Sequence, residues 1–329
     1  MHDYAVVGAS AIGCLAAKHL ARRGFKVRVL EEDPFPGKAG KCTGIVSTRG
    51  LKQTGVDFGD CVLNTISEAV IHSPNCSFRV RRKNVAKVID RQAFDKECFR
   101  EAEAEGAQFV FNKRVKRLPP GKIVGADGAL STVARLAGFP PIKKFVSCFE
   151  RECALENDGC VHVLLDAELF PDFFGWVVPV DGKTARVGFG STDFSKVRES
   201  KARFLKKAGA GKAKREFHAL IPRARRPKTR KRGVWLVGDA AGQVKATTGG
   251  GLVFGARCAR LVGRNDYEAA WRRECAALSE HEKIRRFLDK QSNAGLDLLV
   301  GAGGVLGAGF ILSAFGDMDE ILRNKRFFK

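Results

Sequence analysis

The sequence predicts an α/β fold: a βαβ layer that is discontinuous along the chain, interrupted by β-rich excursions and followed by a helical C-terminal region. Three observations predict it. Residues 4–7, 11–23 and 26–30 alternate from strand to helix to strand, with Gly24 as the helix stop. Residues 65–89 and 146–190 hold short β-type runs separated by turn residues. A further strand-like run, Val234-Trp235-Leu236-Val237, ends on Gly238-Asp239 and opens GDAAGQVKATTGGGL, with glycine at 238, 242, 249, 250 and 251. Glycine has no side chain, so the backbone there can lie directly against another molecule.

After the opening βαβ unit come runs at 69–71, 77–80 and 85–89, broken by Ser73-Pro74-Asn75 and Lys83-Asn84, which read as a small antiparallel excursion. A helix is expected from about 93 to 105, and strands at 108–111 and 122–124 return to the first sheet. Four runs, 146–154, 160–166, 175–180 and 184–190, form a second, antiparallel sheet. Helical patterns return at 195–207 and 212–220. The expected division is therefore a first domain of residues 1–64, 86–142 and 228–264, a β domain of 65–85 and 143–227, and a helical region of 265–329.

Composition narrows the function. The 329 residues are 44% hydrophobic and 29% charged, ordinary for a folded chain with a large core. Ten scattered cysteines include no CxxC pair or zinc-type spacing, so reduced core thiols and no metal are expected. The start Met1-His2-Asp3-Tyr4 shows no basic or apolar leader, which reads as cytoplasmic. The net charge of +22 is concentrated in PRARRPKTRKRG (residues 222–233) and RVRRK (residues 79–83). Without a recognition helix or finger spacing, that charge reads as a peripheral contact with an anionic membrane surface, not as specific nucleic-acid binding.

The first strand opens VVGASAIGCLAA, which places Gly8, Ser10 and Gly13 at the three positions of a GxGxxG turn, with Ile12 inside it. Serine replaces the middle glycine and must turn its small side chain aside or donate a hydrogen bond. Glu31 ends the second strand, where a carboxylate accepts bonds from ribose hydroxyls and repels a 2′-phosphate. A dinucleotide with a free ribose, FAD or NAD, fits that end.

Three further stretches resemble, in order, the DR, GADGxxSxxR and GDAA elements of aromatic-hydroxylase-like flavoproteins: Asp90-Arg91, then Gly125-Ala126-Asp127-Gly128 with Ser131 and Arg135, then Gly238-Asp239-Ala240-Ala241. The resemblance implies an FAD-binding Rossmann-like domain with an antiparallel β substrate domain. It implies Arg91 near the flavin or pyrophosphate, Val115 offering backbone atoms to adenine, Asp127 near the pyrophosphate and Asp239 on the ribitol side. Gly250, Gly251 and Leu252 present a helix start to the flavin's pyrimidine edge.

More finely, the chain resembles the geranylgeranyl reductase family. Gly40-Lys41-Cys42-Thr43-Gly44 is similar to the family's cysteine segment beside the flavin, so Lys41, Cys42 and Thr43 join the cofactor set. PDFFGWVVP (residues 171–179) is similar to its PxxYxWxFP segment, and GDAAGQVKATTGGG to its GDAAGxVxPxTGGG. Phe174, Val178 and Ala246 depart from the motif tyrosine, phenylalanine and proline. The resemblance implies a reductase of isoprenoid (geranylgeranyl) double bonds in membrane lipid synthesis, with an isoprenoid lipid substrate and NAD(P)H or a ferredoxin-like protein as electron donor.

An isolated alkene is a poor hydride acceptor, so an acid must supply a proton as hydride arrives. Cys42 is the candidate donor, since an unperturbed thiol titrates at about 8.5; the alternative is a small cysteine that shapes the flavin face. Phe173, Phe174 and Trp176 are read as lining a lipid-sized groove, with the Trp176 indole N–H on offer, and as plain core otherwise. Residues 298–315, LLVGAGGVLGAGFILSAF, are read as an apolar segment that covers the groove or rests in the membrane interface, a span being the alternative. A flavin hydroxylase shares the fold and is the second reading. A basic membrane- or nucleic-acid-binding protein with a vestigial flavin fold is the third.

Overall fold

The computed structural model describes residues 2–38, 40–305 and Asp319, the side chains of residues 304 and 305 excepted. The chain begins with β1 (Tyr4–Val7), α1 (Ala11–Ala21), β2 (Val27–Leu30), β3 (Ile45–Ser47) and α2 (Thr48–Gln53). Then come β4 (Val62–His72), β5 (Ser77–Ile89), α3 (Arg91–Ala104), β6 (Gln108–Val110), β7 (Lys122–Gly125) and α4 (Thr132–Leu136). β8 (Phe145–Ala154), β9 (Val161–Leu164), β10 (Gly175–Asp181), β11 (Thr184–Ser191), α5 (Phe194–Lys207) and β12 (Ala213–Pro222) follow. The described chain closes with β13 (Arg230–Lys231), β14 (Val234–Leu236), α6 (Leu252–Ala259), α7 (Tyr267–Glu274), α8 (Ala277–Leu288) and α9 (Asn293–Val305).

Two sheets result. The first has strand order β13-β14-β7-β1-β2-β6 and is parallel except for the β13–β14 pair. All four residues of β1 are buried, as a central parallel strand flanked by helices requires. Tyr4, Leu15, Leu20, Trp235, Phe254 and Trp271 share the core on its helical side. The second sheet has order β12-β8-β11-β10-β9-β4-β5-β3 and is antiparallel apart from β4 against β9. Phe149, Phe170, Phe189 and Phe204 pack under α5 on one side of it. β5 runs straight from this sheet into α3 of the first layer, because Asp90 caps α3 by accepting from the Gln92 and Ala93 N–H groups.

Three sequence readings change. Residues 212–220, read as helical, form β12: their charged composition suits a helix, but burial alternates along the run and β8 offers a partner in register. The break expected at Lys83-Asn84 is a bulge within a continuous β5, with Asn84 at φ 53° and its N–H on the Ser67 hydroxyl. The excursion at 65–89 is no separate hairpin either, since β4 joins the larger sheet through β9.

Of the apolar C-terminal run, residues 306–315 lie outside the described residues. Its first part belongs to α9, which is docked on the second sheet: Asp297 accepts from Ser73 and Asn75, and Asn293 accepts from the Ala167 N–H. Leu296 and Val300 are buried there while Leu298 is 74% exposed. Among the described residues no helix is long and apolar enough to cross a membrane.

The turn after β1 sets a strict steric test. Gly8 has φ 100°, and a Cβ on Gly13 would sit 1.9 Å from the Gly8 carbonyl oxygen. Gly13→Ala is therefore expected to lower stability by about 3 kcal/mol, the upper range of overpacking, read as a loss of the urea midpoint. An unchanged midpoint would show that the turn has room the geometry denies.

Candidate functional site

The first turn of α1 is open to a ligand. Ser10, at the middle glycine position, has φ −78°, a conformation any residue adopts, and its exposed side chain makes no cap hydrogen bond. The lost glycine therefore leaves the backbone path unchanged and adds a free hydroxyl beside a helix N-terminus. Glu31 follows β2 and accepts from the Ala9 N–H at 2.6 Å and the Asp33 N–H at 2.9 Å. Each oxygen keeps a lone pair for a further donor such as a ribose hydroxyl.

The second turn, Gly238–Ala241, abuts the first through Ile12. Its side chain fills the space that side chains on Gly238 and Gly255 would need, 3.1 and 2.7 Å from their ideal Cβ positions. Ile12 thus packs the two ligand-facing turns together. Asp239 sits under the start of α6, with an oxygen 3.0 Å from where a Gly251 Cβ would lie. No donor among the described residues reaches its carboxylate, and burial pushes its pKa up to about 6, against the pull of Arg91. Gly250 and Gly251 bring the chain into α6 at Leu252 with no side-chain cap, so the first N–H groups of that helix stay open.

Arg91 stands between this turn and the cysteine segment. It donates to Asp95 at 2.9 Å, and the Cys42 sulfur, which accepts from the Gly44 N–H at 3.3 Å, is close enough to act on its charge. Burial alone would ease its deprotonation, yet Asp95 and Cys42 outweigh that and hold the guanidinium charged. Its Nε is buried with no partner, which is costly unless a ligand supplies an acceptor.

The segment 40–44 is clamped by the second sheet. Arg186 donates to the carbonyls of Thr43 (2.7 Å) and Ile89 (3.1 Å) and pairs with Glu152, while Arg215 donates to the Gly40 carbonyl. Gly44 permits this at φ 72°, since a Cβ would meet the Ile89 oxygen at 2.4 Å. The Thr43 hydroxyl donates to Glu150 on β8, and the same oxygen accepts the Trp176 indole N–H at 2.9 Å. Trp176, Gly188 and Glu150 lie in register across β10, β11 and β8. Trp176 reaches over the middle strand only because Gly188 lacks a Cβ, which would fall 2.6 Å from the indole. The indole N–H, expected to face a substrate, is thus committed to Glu150.

Glu150 is the residue the sequence reading missed. It is 2% exposed, and burial raises its pKa despite the opposing Thr43 and Trp176 bonds. A signal existed, because Glu150 shares the alternating face of Val146 and Cys148, both buried apolar positions. Phe174 is half-buried and continues the aromatic row, 5.6 Å from Trp176 and 4.4 Å from Phe173. The other candidates spread out. Lys41 is exposed, Val115 packs on the core beside β7, and the Asp127 oxygens accept from Ser131 and Val133 within their own turn. Asp127 therefore shapes its loop before it touches any ligand.

The orphaned Arg91 Nε, the donorless Asp239 and the two open helix starts fit a group with an anionic spine and a hydroxylated chain, as FAD has. Comparisons with known proteins agree in fold. Residues 6–70 match the family described as NAD(P)-binding Rossmann-like domain. Digeranylgeranylglycerophospholipid reductase 2 of Methanopyrus kandleri is 30% identical over 81% of this chain and 77% of its own. The reductase 2 of Methanothermobacter thermautotrophicus is 28% identical over 91% of each. A geranylgeranyl bacteriochlorophyll reductase-like structure from Thermoplasma acidophilum superposes with TM-score 0.81 at 22% identity, over 91% of this chain and 90% of that one.

Asp239 gives a signed pH effect. In the apoprotein its folded pKa exceeds the usual 3.8, so the folded state holds the extra proton and stability falls as pH rises from about 4 to about 6. The loss is at most about 3 kcal/mol. Carboxylates with depressed values act oppositely, so the reading is the difference between Asp239→Asn and the parent in urea unfolding. The variant should gain on the parent across that window; a difference flat with pH would show an ordinary carboxylate.

Proposed function

The chain belongs to the digeranylgeranylglycerophospholipid reductase family, and from that premise we propose that it saturates the isoprenoid double bonds of membrane lipid precursors. It is an FAD-dependent oxidoreductase of the geranylgeranyl reductase type. The observation that carries the proposal is the Cys42 thiol set beside the Arg91 guanidinium on a segment clamped by the sheet. Reduced FAD supplies hydride when bound. Gly8, Ser10, Gly13 and Glu31 would hold the nucleotide end, and Arg91, Asp239, Gly250, Gly251 and Leu252 the flavin end. Asp127 shapes the loop beside them, Val115 would offer its backbone to the adenine, and Lys41 stands exposed beside Cys42.

Adding two hydrogens to an alkene needs a hydride on one carbon and a proton on the other. Cys42 provides the proton and is left as a thiolate, which Arg91 faces with a fixed positive charge. Thr43, Glu150 and Trp176 keep the thiol in place and close the floor against water. Phe174 and Trp176 offer apolar surface to the prenyl chain. The electron donor is NAD(P)H or a ferredoxin-like protein.

The enzyme works at the surface of an anionic membrane. Supporting this, α8 exposes Ile284 and Phe287 among Lys283 and Arg286, with Lys290 just past its end, the pattern of a helix lying in the interface; of the basic stretch 222–233 expected to make this contact, Arg223 and Arg226 are buried and Arg225 is held by Glu282.

Two experiments test the reading. Enzyme reduced chemically without oxygen should convert a geranylgeranyl lipid to products heavier by two hydrogens per double bond. Oxygen insertion into an aromatic acid in air, with no anaerobic product, would assign the chain to the hydroxylases instead. Cys42→Ala should retain FAD while alkene reduction in a single turnover slows by about 10²-fold, the usual worth of a positioned acid. An unaltered rate would reduce Cys42 to a packing residue.

A further inference from the structure

Near the C-terminus Asp319 is 2% exposed and wedged where the starts of α2 and α6 meet. A Cβ placed on Gly50 would fall 2.8 Å from the Asp319 Oδ2 and 2.7 Å from Val253. The two carboxylate oxygens go to different segments. Oδ2 accepts from the Ser47 hydroxyl at 2.8 Å, and Ser47 in turn accepts from the Gly50 N–H at the head of α2. Oδ1 accepts from the Lys245 ammonium at 2.6 Å. The Asp319 carbonyl accepts from Arg257 on α6 at 3.2 Å. Burial alone would raise the pKa of this carboxyl, yet Lys245, Ser47 and Arg257 outweigh burial and hold it below the ordinary carboxylate range. The charged form is therefore the one this place is built for.

Lys245 is placed by the glycine turn itself. Its N–H donates to the Gly250 carbonyl at 3.1 Å and its carbonyl accepts from the Gly249 N–H at 2.8 Å, so its backbone closes the turn that leads into α6. The side chain folds back along that turn, with Cε 2.8 Å and Nζ 3.2 Å from where a Gly250 Cβ would lie. Among the described residues its ion pair is with Asp319. An ammonium here adds to the partial positive charge of the uncapped α6 start. Positive charge beside a flavin ring favours the reduced form, which is the more negative one, and weakens it as a hydride donor. An isolated alkene needs a strong donor. We propose that Asp319 is a positioning residue that holds and neutralises Lys245, and that the pair keeps the reduction potential of the bound flavin low. This rests on the assignment of the flavin end to Gly250 and Gly251, and for its purpose on the reductase reading.

The test reads the midpoint potential of the FAD-loaded protein by spectroelectrochemical titration at about pH 8, well above the carboxylate range. Asp319→Asn keeps the shape and removes the negative charge, so the two-electron equilibrium should move toward reduced flavin by about tenfold, a rise of about 30 mV. Lys245→Met leaves the carboxylate without its cation and should lower the potential by a similar amount. The double variant, neutral at both positions, should return to the parent value. A merely structural contact has no such signature, since it predicts lost stability in urea or weaker FAD binding with potentials that agree. Equal potentials in all four proteins overturn the proposal, and so does a shift of the same sign in both single variants. If Asp319→Asn does not fold, the sign of the Lys245→Met shift decides, a rise or no change counting against the pair. The reductase reading fails separately. Reduced parent enzyme that leaves a geranylgeranyl lipid unsaturated refutes it, while potentials in the expected order would still establish the charge pair. A parent that holds no FAD removes both.

Discussion

One carboxylate oxygen ties the two layers together. On Glu150 it accepts from Thr43, which belongs to the cysteine segment, and from Trp176, which belongs to the middle of the large sheet. Arg186 repeats the link from the neighbouring strand by donating to Thr43 and Ile89 carbonyls. Burial of an acid disfavours its charged form, and the two neutral donors and nearby Arg186 and Arg215 limit that penalty. The position of Cys42 is therefore set by groups far away in sequence. Its own segment is glycine-flanked and has little regular structure, so it could not hold a reactive geometry alone.

The legible parts of the molecule were those in which a local rule is absolute. Gly8 and Gly13 are demanded by a turn that admits no side chain, so their spacing announces the β1–α1 unit even with serine between them. The strand that ends at Gly238-Asp239 is legible for the same reason. Parts that depend on a partner were not. β12 is a strand because β8 is there to pair with it, and nothing in its charged Lys214-Arg215-Glu216 start reports that. The Trp176–Glu150 bond crosses a third strand, and the alternation of β8 shows only that an acid occupies an apolar face, not which donor answers it.

The ten cysteines illustrate how environment sorts identical side chains. Burial pushes the thiols of Cys14, Cys98 and Cys258 well above their ordinary range, which makes them inert small hydrophobes. Cys42 alone among the site candidates combines partial exposure with a neighbouring guanidinium. The arginines sort likewise. Most of the excess positive charge is spread over solvated surface, while Arg91 and Arg226 are enclosed and carry unmet hydrogen-bonding or charge demands.

The glycine at 188 has a consequence for how this sequence can change. Any side chain there collides with the Trp176 ring, and loss of that ring leaves the Glu150 carboxylate with one donor fewer in a buried place. An acid so exposed to desolvation is itself better replaced, which in turn strips Thr43 of its acceptor. Positions 43, 150, 176 and 188 are therefore coupled: an exchange that removes the Thr43 hydroxyl, the Glu150 carboxylate, the Trp176 N–H or the bare Gly188 backbone leaves the other members short of a partner or of space.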